Sequence, residues 1–405
     1  MNIVLFDQSP AREQLLPFTF TRPVAGLRTG ILTIQEKWEA WLSDLQGAIF
    51  SHATAEHLSV RYPLVLQDDN MFISGHLCPD KNLIEAVRNL KAGTVLQQNA
   101  LPLALRLNRP QAEAFASSGA TDSLTVSEYK EDVCRIDHTW DIFSKNAEQI
   151  RSDFALITQG RMSAPVGDEF TRVYGISNLF IEEGAQIRAA IIDADSGPVY
   201  IGKNARVHEG AIIKGPFALC EGSHVNMGGK MRGDSTVGPY SKVGGEISNS
   251  VILGYSNKGH EGFLGNSVIG EWCNLGADTN TSNLKNNYAA VKLWSYVKGG
   301  FANTGLQFCG LMMGDHSKCG INTMFNTGTV IGVSANIFGS GFPRNFIPSF
   351  SWGGANGFTT FQLKKSYEVA DLVMQRRSID LTDADKAILE YVHKETARYR
   401  NWENA

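Results

Sequence analysis

The sequence predicts three parts in its 405 residues: an α/β layer domain over residues 1–170, a left-handed parallel β-helix over 176–355, and a helical tail over 356–405. Three patterns carry this expectation. Aliphatic residues recur every sixth position through the middle of the chain, short apolar runs alternate with helical patterns before it, and two amphipathic stretches follow it.

The repeat is the strongest of the three. Ile201, Val207, Ile213, Leu219, Val225, Met231, Val237 and Val243 form an unbroken file in steps of six. The phase slips and returns as Phe263, Ile269 and Leu275, then after a long interruption as Met313, Cys319, Phe325, Ile331 and Ile337. Neither a helix nor an alternating strand sustains such a period, and self-similarity at a short fixed interval marks a solenoid. Three hexads would make one triangular coil with the file pointing inward, and Ile181 and Ile187 begin it weakly.

Ahead of the repeat, Asn2 to Phe6 is a continuous apolar run of the kind covered on both faces of a parallel sheet. Further strands are expected at Leu64–Leu66, Met71–Ile73, Thr94–Leu96 and Leu101–Leu107. Helices are expected at Ile34–Leu45, at Asn82–Leu90 with Asp80 near its start as a cap, and from Trp140 to Phe154. This alternation argues for a mostly parallel sheet. Gln159 to Gly175 reads as the linker into the solenoid. In the tail, Thr382 and Asp385 stand at capping-box spacing, and Ile388, Tyr391, Val392 and Tyr399 share one face.

Composition narrows the functional classes. A net charge of −4 singles out neither nucleic acid nor an anionic membrane as partner, although a local basic pocket remains compatible with it. The opening Met1-Asn2-Ile3-Val4 reads as a strand without a signal peptide, and no apolar run has the length of a membrane span, so a cytoplasmic protein is expected. The six cysteines form no CxxC pair, which argues against a zinc site or a disulfide framework. His208, His224 and His316 lie in the repeat without a shared coil spacing, so no metal ligand set is assigned.

Polar chemistry concentrates at NKGHEGFLGNSVIGEWCNLGADTNTSNLKNN, residues 257–287. On a scaffold that asks for small residues at its corners, this cluster has two readings. Asparagines can stack between coils with His260 as a surface corner residue. Alternatively His260 is a general base, since an imidazole ordinarily titrates at about 6.5, and Asn283 with neighbouring amides holds a sugar or an oxyanion.

The segment HEGFLGNSVIGEWCNLGADTNTSNLKNN resembles the acetyltransferase signature of the GlmU-type bifunctional enzymes, N-acetylglucosamine-1-phosphate uridylyltransferase/glucosamine-1-phosphate N-acetyltransferase. The resemblance implies that His260 is the catalytic base, that Asn283 binds substrate, and that Ala277 and Gly339 border the acetyl-CoA site. It implies a homotrimer, because the family's acetyl-CoA site lies between prisms. It also implies a place in UDP-N-acetylglucosamine biosynthesis, with small-molecule substrates. The family Tyr residues are here Phe263 and Leu284, and Lys242, Lys258 and Lys285 stand in for its basic residues as point charges for a sugar phosphate.

The first half resembles a reduced nucleotidyltransferase. Leu15-Leu16-Pro17-Phe18-Thr19 keeps the family's "L-x-P-x-T", while the glycines of the phosphate loop are missing, Val24 replaces a Lys, and Gly75-His76 replaces the Gly-Asp whose Asp holds the metal. What this implies is uridylyl transfer from UTP to N-acetylglucosamine-1-phosphate with Mg²⁺, the phosphates being met by Arg12, Arg22, Arg28 or Lys37 instead of backbone N–H groups. Those cations could equally pair with Glu13, Glu36 and Glu39 on the surface. A rival reading is a non-catalytic sugar-nucleotide sensor or scaffold that kept both folds.

Overall fold

The structure, a computed structural model, describes residues 2–45 and 47–403. The chain forms two compact units, one of residues 1–15, 21–27 and 32–138, the other of residues 16–20, 28–31 and 139–405.

The first unit is built on a six-stranded sheet with β1 (Asn2–Phe6), β2 (Ile49–Ala53), β3 (Asp69–Ser74), β4 (Thr94–Gln98), β5 (Leu101–Asn108) and β6 (Thr125–Glu128), in the order β2-β1-β3-β5-β4-β6. β1 pairs in parallel with both β2 and β3, and β5 alone runs against its neighbours β3 and β4. The sheet is therefore mixed, with one antiparallel strand in a parallel set. β1 is buried along its whole length, as its unbroken apolar run requires. Leu64–Leu66, expected as a strand, is an open connection. The place beside β1 is taken by β2, and the Val65 carbonyl instead accepts from Asn2 Nδ2 at 2.6 Å. Helix Ile34–Trp41 carries a capping box of Thr33 and Glu36, and helix Lys81–Arg88 starts at Asp80, whose carboxylate accepts from Leu83 N at 2.8 Å.

The second unit is a parallel β-helix with three stacked faces. The first face has nine strands from Leu179–Ile181 to Phe346–Ile347. The second runs from Gln186–Ile187 to Ser351–Gly354 and gains the antiparallel strand Gly357–Thr360. The third runs from Arg172–Tyr174 to Phe263–Gly265 and is continued by Asn280–Thr281 and Met324–Phe325. The aliphatic file fills one continuous interior from Ile181 to Ile347. Phe263 is not part of it: Leu264 occupies the inward position, paired with Ile247, while Phe263 lies outside with its N–H bonded to Asn280 Oδ1 at 2.8 Å. Coils shorten here, and the five-residue step from Leu264 to Ile269 moves the phase by one. The expected linker is also partly structural, since Arg172–Tyr174 already pairs with Ile191–Asp193.

The interruption spans residues 282–310 and contains the antiparallel hairpin Lys292–Ser295 with Gly300–Asn303. Trp140–Phe154, expected as one helix, is two, Asp141–Ser144 and Asn146–Thr158. Asn146 is fully buried between them and the prism. Its Oδ1 accepts from Gly30 N at 2.6 Å and Thr236 Oγ1 at 3.1 Å, and its Nδ2 donates to the Asp234 carbonyl at 3.0 Å. Asp153 holds Ile31 N at 2.8 Å, so the short piece Arg28–Ile31 is pinned to this unit by side chains far away in sequence. In the tail, helices Leu363–Gln375 and Asp383–Glu395 form, the second with the Thr382–Asp385 capping box. Ile388 and Val392 are buried, whereas Tyr391 is largely exposed and Tyr399 lies in a separate short turn, so the four do not share one face.

Replacing Asn146 with Ala removes three hydrogen bonds at once and leaves the buried Gly30 N–H and the part-buried Asp234 carbonyl without this partner. At about 1–3 kcal/mol per stranded group, the urea midpoint is expected to fall by an amount corresponding to roughly 2–4 kcal/mol. An unchanged midpoint would contradict the hub.

Candidate functional site

In-register pairing places each corner residue of the prism over its counterpart in the next coil. Asn257 pairs with Asn274, Leu275 with Cys319, and Cys319 with Ile337. Two residues past each inward position, the turn between the second and third faces therefore carries His260, Ala277, Ile321 and Gly339 in one column. At about 4.8 Å per coil, the edge from His260 to Gly339 is roughly 14 Å long. Three of the residues expected at the acyl-transfer site thus share one edge.

A groove of about 620 Å³ opens beside this edge. Its floor is the second face, with Lys242, Asn257, Asn274 and Lys318 as successive outward residues. One wall is the turn of His260 and Ala277, and the other is a ladder of rings in which Tyr255 and Trp272 stack at 4.3 Å. Val373, Arg376 and Arg377 close it from the tail helix and the turn after it, and Arg377 Nη2 donates to the Tyr240 carbonyl at 3.3 Å. The His260 side chain is exposed to this space. Lys318 Nζ donates to the His316 carbonyl at 2.8 Å, and burial lowers its ammonium to about 8.

Lys258 is placed otherwise than the sequence suggested. It stands in the inward file, paired with Val243, and is 1% exposed. Its Nζ donates to the carbonyls of His260 at 2.5 Å, Glu261 at 3.0 Å and Gly244 at 3.4 Å. A buried ammonium has to be met by oxygen, and here the oxygens belong to the turn that carries His260. Lys258 therefore braces that turn from inside the prism and does not reach a sugar phosphate.

Asn283 lies at the opposite edge of the third face, at the base of the interruption, where Nδ2 donates to Asn266 Oδ1 at 2.8 Å. Within one chain it is not brought to His260. Lys285 is nearby in the interruption, its Nζ bonded to the Ala290 carbonyl at 3.1 Å.

In the first unit, a pocket of about 760 Å³ sits at the carboxyl ends of β1 and β2. β1 pairs with β2 on one side and β3 on the other, so this is the switch point at which open α/β sheets take ligands. Asp7, Ser9, Arg12, His52 and Thr54 line it. Asp7 accepts from Val24 N at 2.8 Å and from the Thr54 hydroxyl, and burial pushes its carboxyl up to about 6. Burial pushes His52 down to about 4. Of the four cations expected to meet phosphate, Arg12 alone lines this pocket; Arg22, Arg28 and Lys37 are 5%, 6% and 1% exposed, and Arg28 Nη1 donates to the Ile31 carbonyl. Those three side chains are buried in the protein and do not face solvent.

The Mg²⁺ implied for this half needs oxygen ligands. Past the end of β3 stands His76, buried, with Nε2 3.9 Å from Asp137 Oδ1. Among the described residues no group of three or more His, Cys, Asp or Glu side chains is positioned to hold a metal. One imidazole and one carboxylate do not fit Mg²⁺, which takes oxygen ligands.

Residues 3–162 match the model of a family described as "Sugar nucleotidyl transferase". The "Uncharacterized acetyltransferase YaiX" of Escherichia coli O6:K15:H31 (strain 536 / UPEC) is 29% identical over 153 residues, 37% of this chain and 66% of that protein. The "Bifunctional sugar-1-phosphate nucleotidylyltransferase/acetyltransferase" of Sulfurisphaera tokodaii is 33% identical over 144 residues, 35% of each. The "Bifunctional protein GlmU" of Methanocaldococcus jannaschii is 33% identical over 87 residues, 22% of this chain and 21% of that protein. The match thus spans less than two thirds of each relative's length. The chain is thus similar to sugar nucleotidyl transferases over residues 3–162 and to GlmU-type bifunctional proteins over part of its length, and it carries an α/β unit followed by a parallel β-helix. Among the described residues no helix is long and apolar enough to cross a membrane.

Lys242, one of the three lysines offered for the sugar phosphate, does lie in the groove, whereas sequence reading missed Lys318, Trp272 and the two tail arginines. Alternation would have marked Lys318 as outward, next to inward Cys319; the tail arginines carried no such signal.

Burial gives a test of Lys258. Its ammonium titrates at about 8 instead of 10.5, so between these values the unfolded chain holds a proton that the folded chain has released. Stability from this group then rises with pH across that window. The urea midpoint of the wild type, relative to Lys258→Met, is expected to climb from pH 8 to pH 10; parallel curves would place the amine in solvent.

Proposed function

We propose that the β-helix unit transfers an acetyl group from acetyl-CoA to the amine of an amino-sugar phosphate such as glucosamine-1-phosphate. The observation that carries this is the alignment of His260, Ala277 and Gly339 along one groove edge. The upper edge, with exposed Ile321 and Phe338, suits the pantetheine arm, and Gly339 leaves open space beside it. Lys242, Arg376 and Arg377 supply positive charge for the sugar phosphate.

In the reaction the amine nitrogen attacks the thioester carbonyl and the C–N bond forms. His260 takes the proton that the nitrogen loses. Collapse of the tetrahedral intermediate breaks the C–S bond, and the leaving thiolate recovers the proton from the imidazolium. Amide donors near Ala277 stabilise the oxyanion, each contributing about 3 kcal/mol. Asn283 would act from a second copy of the chain, because it occupies a different edge from His260; a homotrimer supplies such a neighbour.

For the first unit the reading is nucleotidyl transfer, favoured by the family match over residues 3–162. The sugar-1-phosphate oxygen would attack the α-phosphorus of a nucleoside triphosphate such as UTP, and pyrophosphate would leave. Arg12, which lines the pocket, would meet those phosphates. Together the two reactions would place the protein in the synthesis of an N-acetylated sugar nucleotide.

Thiol release from acetyl-CoA in the presence of glucosamine-1-phosphate tests the first reaction. His260→Ala is expected to lower its rate by about 10²–10⁴-fold, and an unchanged rate would remove His260 from the chemistry. In the same preparation, Arg12→Ala is expected to depress pyrophosphate release at least tenfold, the loss of one charge-assisted contact, with thiol release intact. No pyrophosphate from the wild type with any common nucleoside triphosphate would leave a transferase of acetyl groups alone.

A further inference from the structure

The floor of the groove continues below the level of His260 as a column of basic side chains. On the second face Arg206 pairs with His224, His224 with Lys242, and Lys242 with Asn257. The His208 ring lies 5.5 Å from that of His224, and Arg377 overhangs the same face. Several cations elsewhere on the prism surface have carboxylate partners: Arg161 with Glu182 at 2.6 Å, Arg232 with Glu246 at 2.8 Å and Lys230 with Glu261 at 3.4 Å. Here, among the described residues, neither Arg206 nor Lys242 forms an ion pair, and the nearby acid Glu209 lies 4.0 Å from His208 Nδ1. The crowding is felt at His224, which burial, then Lys242, His208, Arg206 and Arg377, push down to about 4, leaving a neutral imidazole between two cations. In a chain of net charge −4, an unneutralised basic column is a local feature that calls for an anion.

Its length says what kind. Coils are about 4.8 Å apart, so Arg206 lies roughly 10 Å from Lys242. A single phosphate held at Lys242, with its sugar amine at His260, leaves His224 and Arg206 without a ligand. A diphosphate ester extends from Lys242 toward His224, within reach of the long Arg206 side chain from the next coil. We propose that the acceptor taken by this groove is an amino sugar carried on a nucleoside diphosphate, with its two phosphates along Lys242, His224 and Arg206 and its amine toward His260. A nucleoside carrier is favoured over a lipid one because the same chain bears the sugar nucleotidyl transferase match. The inference rests on the acyl-transfer reading of the groove and names its acceptor; acetylation would then follow nucleotidyl transfer.

Two measurements separate the inference from its premise. Thiol release is followed with UDP-glucosamine and with glucosamine-1-phosphate as acceptors, for the wild type and for Arg206→Gln, whose site is on the surface. The expected result is a preference for UDP-glucosamine of about tenfold or more in kcat/KM, reduced about fivefold or more in Arg206→Gln through KM, with the melting temperature unchanged. Equal or better use of glucosamine-1-phosphate by the wild type, or a preference indifferent to Arg206→Gln, would overturn the inference while leaving acyl transfer standing. Thiol release with neither acceptor would overturn acyl transfer itself. Calorimetric binding of both compounds to His260→Ala then decides the column alone: tighter UDP-glucosamine binding that weakens with Arg206→Gln supports it, and equal binding overturns it.

Discussion

Parallel strands paired in register, coil upon coil, are the constraint on which the rest of this molecule depends. Once Val207, Val225 and Val243 stack inward, their flanking residues have no freedom of placement: one column faces the solvent before them and another turns the corner after them. The candidate site of the second unit is, apart from the tail residues that close it, a consequence of that lattice. The groove, the edge of His260 and Ala277, and the basic column below them are successive readings of one repeated position. A change of one residue in coil length shifts an entire column, as the replacement of Phe263 by Leu264 in the interior shows.

The same lattice explains the unusual interior of the candidate site. All but a few inward positions of the prism are apolar, because a buried polar group without a partner is costly. Lys258 breaks the pattern on the coil that carries His260, and its ammonium is met by three carbonyls of the adjoining turns. The arrangement trades stability for a fixed turn, a pattern expected where geometry matters to chemistry. Asn283 is separated from His260 by the third face, so one edge of a single prism does not bring the two residues together.

Much of this was legible in the sequence because the repeat has a period that no other structure shares. The inward file and the interruption follow from counting, while His260, Ala277 and Gly339 were singled out by the resemblance of their segment to a known signature. In the first unit, β1, Met71–Ile73 within β3, and the Asp80 cap were equally readable, since each depends on local chemistry. What escaped was set by distant partners. β2 was hidden because its alternation is weak, and its strand is fixed by pairing with β1. Lys258 reads as a surface charge until the shortened coils turn it inward, and Arg22, Arg28 and Lys37 read as phosphate ligands until tertiary packing buries them. The tail arginines enter the groove through the packing of a helix whose position no local pattern specifies.

The central claim is that the groove beside His260 holds an acyl donor and an amino-sugar acceptor together. A crystal structure of the protein with coenzyme A and a glucosamine phosphate bound tests it most directly. The account predicts the thiol and the sugar amine within about 4 Å of each other beside the His260 ring, with the pantetheine arm running along Ala277 toward Gly339. Coenzyme A bound away from that edge, or a sugar amine remote from His260 with both ligands at full occupancy, would contradict it.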